Sequence, residues 1–235
     1  MRRAAPRYAG AVSPIIRIVV GWLLCLAVVR GATNSPVREL GIVRTYGDTA
    51  EIFDHSVKLA DLDRSVGYFL LQTIQTCRSN AAAQGKSPQS IGSMGGSWLE
   101  WATLIALKAR GLTPAYWQAE FAAVPNNFND VTLWSKEFGP VIISCKTSLR
   151  ERYKQADLEA VALRAHYPDG KFFLLTLDAD KKHLARTRKK IVDKELLALQ
   201  AIYAEDNADE LFAFLKTLTL VEPRQGVLHS GKVVR

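Results

Sequence analysis

The apolar positions of this chain recur at threes and fours in some stretches and alternate or run together in others. From Asp48 to Gln84, Ile52, Val57, Leu59, Leu62, Val66, Phe69, Leu70 and Ile74 sit at helical spacing with charges between them. This predicts one or two helices, with a break near Gly67. Gly85 to Gly96 reads as a flexible loop, and its glycines match no phosphate-cradling motif. Ser97 then opens a helix ended by Gly111. Ser97 and Glu100 have capping-box spacing, and Trp98, Trp101, Ala102, Ile105 and Ala109 form its buried stripe.

Beyond Gly111 the pattern changes. Tyr116 to Val124 predicts a strand, stopped by Pro125 and an Asn126-Asn127 turn. Val131–Trp134 and the β-branched Val141–Lys146 predict two further strands around a turn at Ser135–Pro140. Ser148 and Glu151 repeat the capping-box spacing, so a helix is expected from about Leu149 to His166. Phe172–Leu177 has the composition of a strand buried on both faces. A basic helix from Lys181, an amphipathic helix over Asp206–Leu218 and a short terminal segment complete the chain. The order helix, strand, hairpin, helix, strand implies an α/β fold: a central mixed sheet flanked by helices, with a mainly helical N-terminal region.

The first residues stand apart. Arg2, Arg3 and Arg7 precede an apolar run, Ile18–Val29, and Thr33–Pro36 reads as a break. The run has the outline of a secretion signal but no good cleavage pattern, and it is short for a membrane span. A signal, an anchor and an ordinary buried segment after a start codon set too early are the three readings. The expected organisation is an extension over residues 1–40, a helical region over 41–90 and a core over 91–235.

Composition narrows the class. At 235 residues, 48% hydrophobic and 23% charged, the chain is an ordinary globular protein. Its formal net charge of +8 and pI near 9.5 favour a polyanionic partner, nucleic acid before membrane. Cys25, Cys77 and Cys145 are too few and too scattered for a disulfide framework or a zinc site, which suits a reducing cytoplasm. The four histidines show no metal-ligand spacing.

Candidate chemistry gathers between Asn127 and Gln155. In an antiparallel hairpin, paired residue numbers have a constant sum. If Trp134 faces Pro140, Asp130 faces Ser144; if Ser135 faces Val141, Asp130 faces Lys146. Either register puts Asp130, Ser144 and Lys146 on one face of the sheet, with Val141, Ile143 and Cys145 on the other. An acid and a lysine at a hairpin mouth, followed by a basic helix, are parts that can hold a divalent cation against a phosphodiester.

These residues carry a resemblance. Asp130, the spacing to Ser144-Cys145-Lys146 and the run Lys-Thr-Ser-Leu-Arg-Glu-Arg resemble the PD-(D/E)XK nuclease superfamily, and within it type II restriction endonucleases. The likeness covers roughly Ser97 to Asp178. It implies a restriction endonuclease-like core and a Mg2+-dependent enzyme that hydrolyses duplex DNA at a specific sequence. It also implies a homodimer and, as genetic partner, a cognate DNA methyltransferase. A repair or structure-specific nuclease and an inactive nucleic-acid-binding protein are the alternatives.

Carried over residue by residue, the family aspartate falls on Asp130, the lysine on Lys146 and the acid of the first core helix on Glu100. Asn129 stands where proline is usual. Ser144 stands where an acid is usual, and a serine cannot replace a carboxylate ligand. Glu159 on the following helix, with Asp157 behind it, is the candidate replacement; both could instead be surface charges. Arg150, Arg152 and Lys154 are the expected DNA contacts. Lys181–Lys190 is either a phosphate-binding stretch or a solvated helix face.

Overall fold

The structure, a computed structural model, describes residues 35–235. The Ile18–Val29 run and its three readings lie outside the described residues. Residues 36–235 form one compact unit. No helix among the described residues is long and apolar enough to cross a membrane.

The N-terminal region is helical, as the periodicity predicts. It comprises α1 (Pro36–Glu39), α2 (Asp48–Asp54), a 3-10 turn (Leu59–Asp63) and α3 (Val66–Ala83). The break falls before Ser65, not at Gly67. Ser65 caps α3, its hydroxyl accepting from the Tyr68 amide at 3.0 Å. Asp209 accepts from the next two free amides, Val66 and Gly67, at 2.9 and 3.3 Å. Gly67 is the point of closest approach: a Cβ there would lie 2.0 Å from the Glu205 carbonyl oxygen.

Helix α4 runs from Pro88 to Ala109, so most of the expected Gly85–Gly96 loop is helix. Its N-cap is Ser87, which accepts from the Ser90 amide at 3.2 Å, with Pro88 in the first turn. Glycine costs a helix about 1 kcal/mol relative to alanine. Here Gly92, Gly95 and Gly96 are carried by the following turns, which bury Trp98 to Leu107 almost completely. Ser97 and Glu100 are therefore mid-helix, and the expected capping box at these residues does not exist.

The sheet has six strands: β1 (Ala115–Phe121), β2 (Val124–Ser135), β3 (Gly139–Lys146), β4 (Lys171–Thr176), β5 (Ala201–Tyr203) and β6 (Leu228–Val234). Their spatial order is β5-β4-β3-β2-β1-β6. Strands β6, β1, β2 and β3 are mutually antiparallel, while β3, β4 and β5 run parallel. Parallel neighbours need crossovers, supplied by α5 (Arg152–Arg164) and α6 (Lys181–Val192). Helix α7 (Ala208–Lys216) follows β5. This is the expected mixed sheet between helices.

Three boundaries differ from expectation. The β1–β2 turn is at Ala122-Ala123, and β2 continues through Pro125, Asn126 and Asn127. The Glu120 carboxylate receives the Asn126 amide at 2.7 Å, holding this outer part of the hairpin. Helix α5 starts at Arg152 without a side-chain cap. The loop before it is held from a distance by Asp178, which accepts from the Leu149 amide at 2.6 Å. The terminal segment is β6, the edge strand beside β1.

The pleat sorts the core into two layers. Val131, Leu133, Val141, Ile143 and Cys145 face α3 and α4. Ile142 faces α5, with Tyr153, Ala156, Ala160 and Leu163. In β4, Phe173 and Leu175 belong to the first layer and Phe172 and Leu174 to the second, so this strand is buried on both faces.

Candidate active site

Trp134 pairs with Pro140 and Val131 with Ile143, the first of the two registers considered. One step further, Asp130 stands opposite Ser144. No backbone pair forms there; the Asp130 side chain takes over. Its Oδ2 accepts from the Cys145 amide at 2.7 Å, from the Ser144 hydroxyl at 3.3 Å and from Lys146 Nζ at 2.8 Å. A buried amide at the end of a ladder needs an acceptor, and the carboxylate provides it.

Asp130 is buried and Lys146 half-buried. Burial by itself would lower the lysine's pKa. The adjoining Asp130 carboxylate outweighs that effect through its charge and hydrogen bond, helped by the charge of Glu159, so the net displacement is upward. Lys146 is thus held as an ammonium. The Cys145 thiol faces the opposite layer and is pushed well above its usual range, first by burial and then by the charges of Asp130 and Glu100.

Glu100 comes from α4, on the other side of the sheet from Ser144. Its Oε2 accepts from the Trp117 indole at 2.6 Å and from the Gln118 amide at 2.8 Å. The same Gln118 nitrogen lies 3.4 Å from Asp130 Oδ1. One amide group therefore stands between two carboxylates supplied by different layers. Burial, and then the charge of Asp130, push the Glu100 carboxyl up to about 7.

Glu159 of α5 lines a crevice with Asn129, Asp130 and Ser144, on the sheet face that Asp130 and Ser144 share. It is half-buried, and its carboxylate accepts from Gln155 at 2.7 Å. Asn127 of β2 ties to the Glu159 carbonyl at 3.3 Å. Asp157 is neither a surface charge nor a site residue. It is buried and accepts from the amides of Leu197, Ala198 and Leu199 at 2.8, 2.8 and 2.9 Å. Among the described residues, no three His, Cys, Asp or Glu side chains are grouped closely enough to hold a metal ion together. Glu100 and Asp130 form one pair; Asp130 and Glu159 share the neighbouring crevice.

Arg150 and Arg152 are exposed directly after the β3 end, and Lys154 is exposed and paired with Glu151 at 2.6 Å. The basic stretch Lys181–Lys190 is largely engaged within the protein. Lys181 pairs with Glu205, Arg188 with Asp206 at 2.7 Å, Lys189 with Asp193 at 2.5 Å and Lys190 with Glu195. These pairs fit a solvated helix face better than a phosphate-binding surface.

The structure thus brings together Asp130, Lys146 and Glu100, sets Glu159 beside them, and leaves Arg150, Arg152 and Lys154 at the rim. It adds Trp117 and Gln118, which the sequence reading did not single out. Gln118 reaches the site through a left-handed backbone conformation, φ +49°, which a glutamine seldom takes and which its sequence does not announce.

Comparison with protein-family models and with curated proteins finds no match. Among solved structures the fold is similar to the restriction endonuclease PspGI in complex with substrate DNA. The TM-score is 0.48 and the identity 15%, over 83% of this chain and 87% of that one.

Proposed function

We propose that this protein is a divalent-metal-dependent DNA endonuclease, of the restriction type that hydrolyses duplex DNA at a defined sequence. One observation carries the reading: the carboxylates of Glu100 and Asp130 converge on the single Gln118 amide nitrogen, at 2.8 and 3.4 Å, while one ammonium, Lys146, occupies the far oxygen of Asp130. Two acids with one cation leave the site short of positive charge.

That donor set fits Mg2+, which takes oxygen ligands, is content with one or two carboxylates and keeps several waters. Glu100 and Asp130 would hold it, with Glu159 the next acid to hand. A divalent ion there supplies neutralisation of the scissile phosphate and activation of a water. The protein's own groups do the rest. Asp130 anchors Lys146, whose ammonium offsets charge developing on the phosphate and orients the attacking water. Ser144 donates to Asp130 and helps fix that carboxylate; the acid missing at this position is replaced from α4 and α5. Arg150, Arg152 and Lys154 extend the positive rim along which a DNA backbone would lie. A two-fold homodimer would match a palindromic site, and a cognate methyltransferase would protect the host's own copies.

Ser144 in place of a carboxylate also motivates a second reading, a nucleic-acid-binding protein without turnover. Incubation with plasmid DNA, with and without Mg2+, separates the two. Discrete fragments that require Mg2+ and vanish in Asp130→Ala support the endonuclease. Random nicking by the wild type would point to a structure-specific or repair enzyme instead. Binding without cleavage under any divalent ion would leave only the second reading.

A further inference from the structure

Trp117 and Gln118 are successive residues of β1, and successive side chains of a strand leave opposite faces. Here both end on one atom, Glu100 Oε2. The backbone explains how. Gln118 has φ +49°, and the register of β1 against β6 shifts by one between Trp117 and Glu120. Such a bulge bends the strand and re-aims a side chain. Against β2 the register stays constant, Trp117 with Val131 and Ala119 with Asn129, so Gln118 stands opposite Asp130. Across the sheet, Gln118, Asp130 and Ser144 are therefore neighbours in one row.

The bulge is accommodated by β6. Gly231 has φ +142°, and a Cβ on it would lie 3.1 Å from the Ala119 Cα. A glutamine at positive φ is unfavourable by about 1 kcal/mol or more, and such residues persist where surroundings over-determine them. Glycine or asparagine would occupy the turn at less cost. What Gln118 adds is its amide, placed between two acids.

We propose that Trp117 and Gln118 act together as a positioning clamp, holding Glu100 against Asp130 so that the two carboxylates are arranged for a divalent cation before it arrives. The clamp rests on the cation-site reading given above. Its two donors act through Glu100, whose direction they fix. Theirs are the two hydrogen bonds that the described structure gives to the Glu100 carboxyl. Partners that orient a metal-binding side chain typically contribute about 10- to 100-fold in metal affinity.

The test uses the full chain and Mn2+ alone, titrated calorimetrically without DNA. Gln118→Gly removes the amide; glycine suits the left-handed backbone, which offsets part of the loss of two hydrogen bonds, so the variant should remain folded at the temperature of the titration. Its Mn2+ dissociation constant should rise about tenfold. Trp117→Phe keeps the ring, drops the N–H and should weaken Mn2+ binding in the same direction. Unchanged Mn2+ affinity in both variants overturns the clamp. A metal-free readout keeps it separate from the cation reading: the indole N–H resonance of Trp117. If the bond to Glu100 exists in solution, Glu100→Gln must move that resonance, and an unmoved one overturns the clamp even if the wild type binds no Mn2+. Absence of DNA cleavage by the wild type would count against the endonuclease reading alone.

Discussion

Lys146 Nζ lies 2.8 Å from Asp130 Oδ2, on the same carboxylate oxygen that receives the Cys145 amide. The lysine and the amide that precedes it thus share one acceptor, and the position of the ammonium is fixed to the backbone of its own strand. Truncating one member of so enclosed a pair leaves the other charge uncompensated.

Lys146→Ala is accordingly expected to slow single-turnover cleavage by about 100-fold or more, the range of a lost acid–base or charge-offsetting group. Cation-dependent DNA binding should change little. If the lysine is only a phosphate contact, binding weakens, its salt slope falls by about one unit and the rate on saturated DNA stays normal. A normal rate would remove Lys146 from the catalytic set.

Glu100 predicts a pH dependence with a definite sign. Its carboxyl is pushed from an ordinary value of 4.5 up to about 7, so the folded protein holds a proton that the unfolded chain has released. Stability of the metal-free protein should therefore fall as pH rises from about 4.5 through about 7, by up to roughly 3 kcal/mol, and stay low above that. Glu100→Gln should flatten this part of the profile in urea melts at stepped pH. Mn2+ affinity of the wild type should rise over the same interval, because the cation competes with that proton. A flat wild-type stability profile between these values would contradict the assignment.

Asp157→Ala is a prediction about the fold. The carboxylate receives three backbone amides of the segment leading to β5, and removing it leaves those of Ala198 and Leu199 buried without an acceptor. An unsatisfied buried group costs about 1–3 kcal/mol, so a loss of at least about 2 kcal/mol is expected in denaturant unfolding. Single-turnover cleavage by the fraction that remains folded should match the wild type, since Asp157 lies outside the site.

How much of this was legible in the chain depends on what each feature rests on. Turn length and pleat limit the hairpin to two registers that both put Asp130, Ser144 and Lys146 on one face; which residue stands opposite Asp130 is settled only by the folded turn, where Trp134 pairs with Pro140. The start of α4 at Ser87-Pro88 is hidden in the sequence because Gly92, Gly95 and Gly96 suggest a loop, and only the burial of the turns after them carries these glycines as helix. Asp157 looked like a surface charge because its partners lie some forty residues away in sequence. Gln118 was invisible for a different reason: a bulge is made by two neighbouring strands, and β6 was not recognised as a strand. Long-range complementarity of this kind has no local signature.

Gly67→Ala should destabilise through geometry alone. The added methyl would meet the Glu205 carbonyl, an immovable backbone atom at 2.0 Å, and would disturb the Asp209 contacts that start α3. Overpacking of this kind costs about 1–3 kcal/mol or more, against the gain that alanine usually gives a helix. A mutant that melts at or above the wild-type temperature would mean that α3 and the Glu205 loop separate easily.

The carboxylate of Asp130 stands where the β2–β3 ladder ends and serves as its last rung. Anything that draws on its lone pairs also pulls on the seam between two central strands. Occupancy of the site and fraying of that seam are consequently one equilibrium seen from two ends, and the Cys145 amide, hidden in the interior, would carry the signal in its rate of exchange with water.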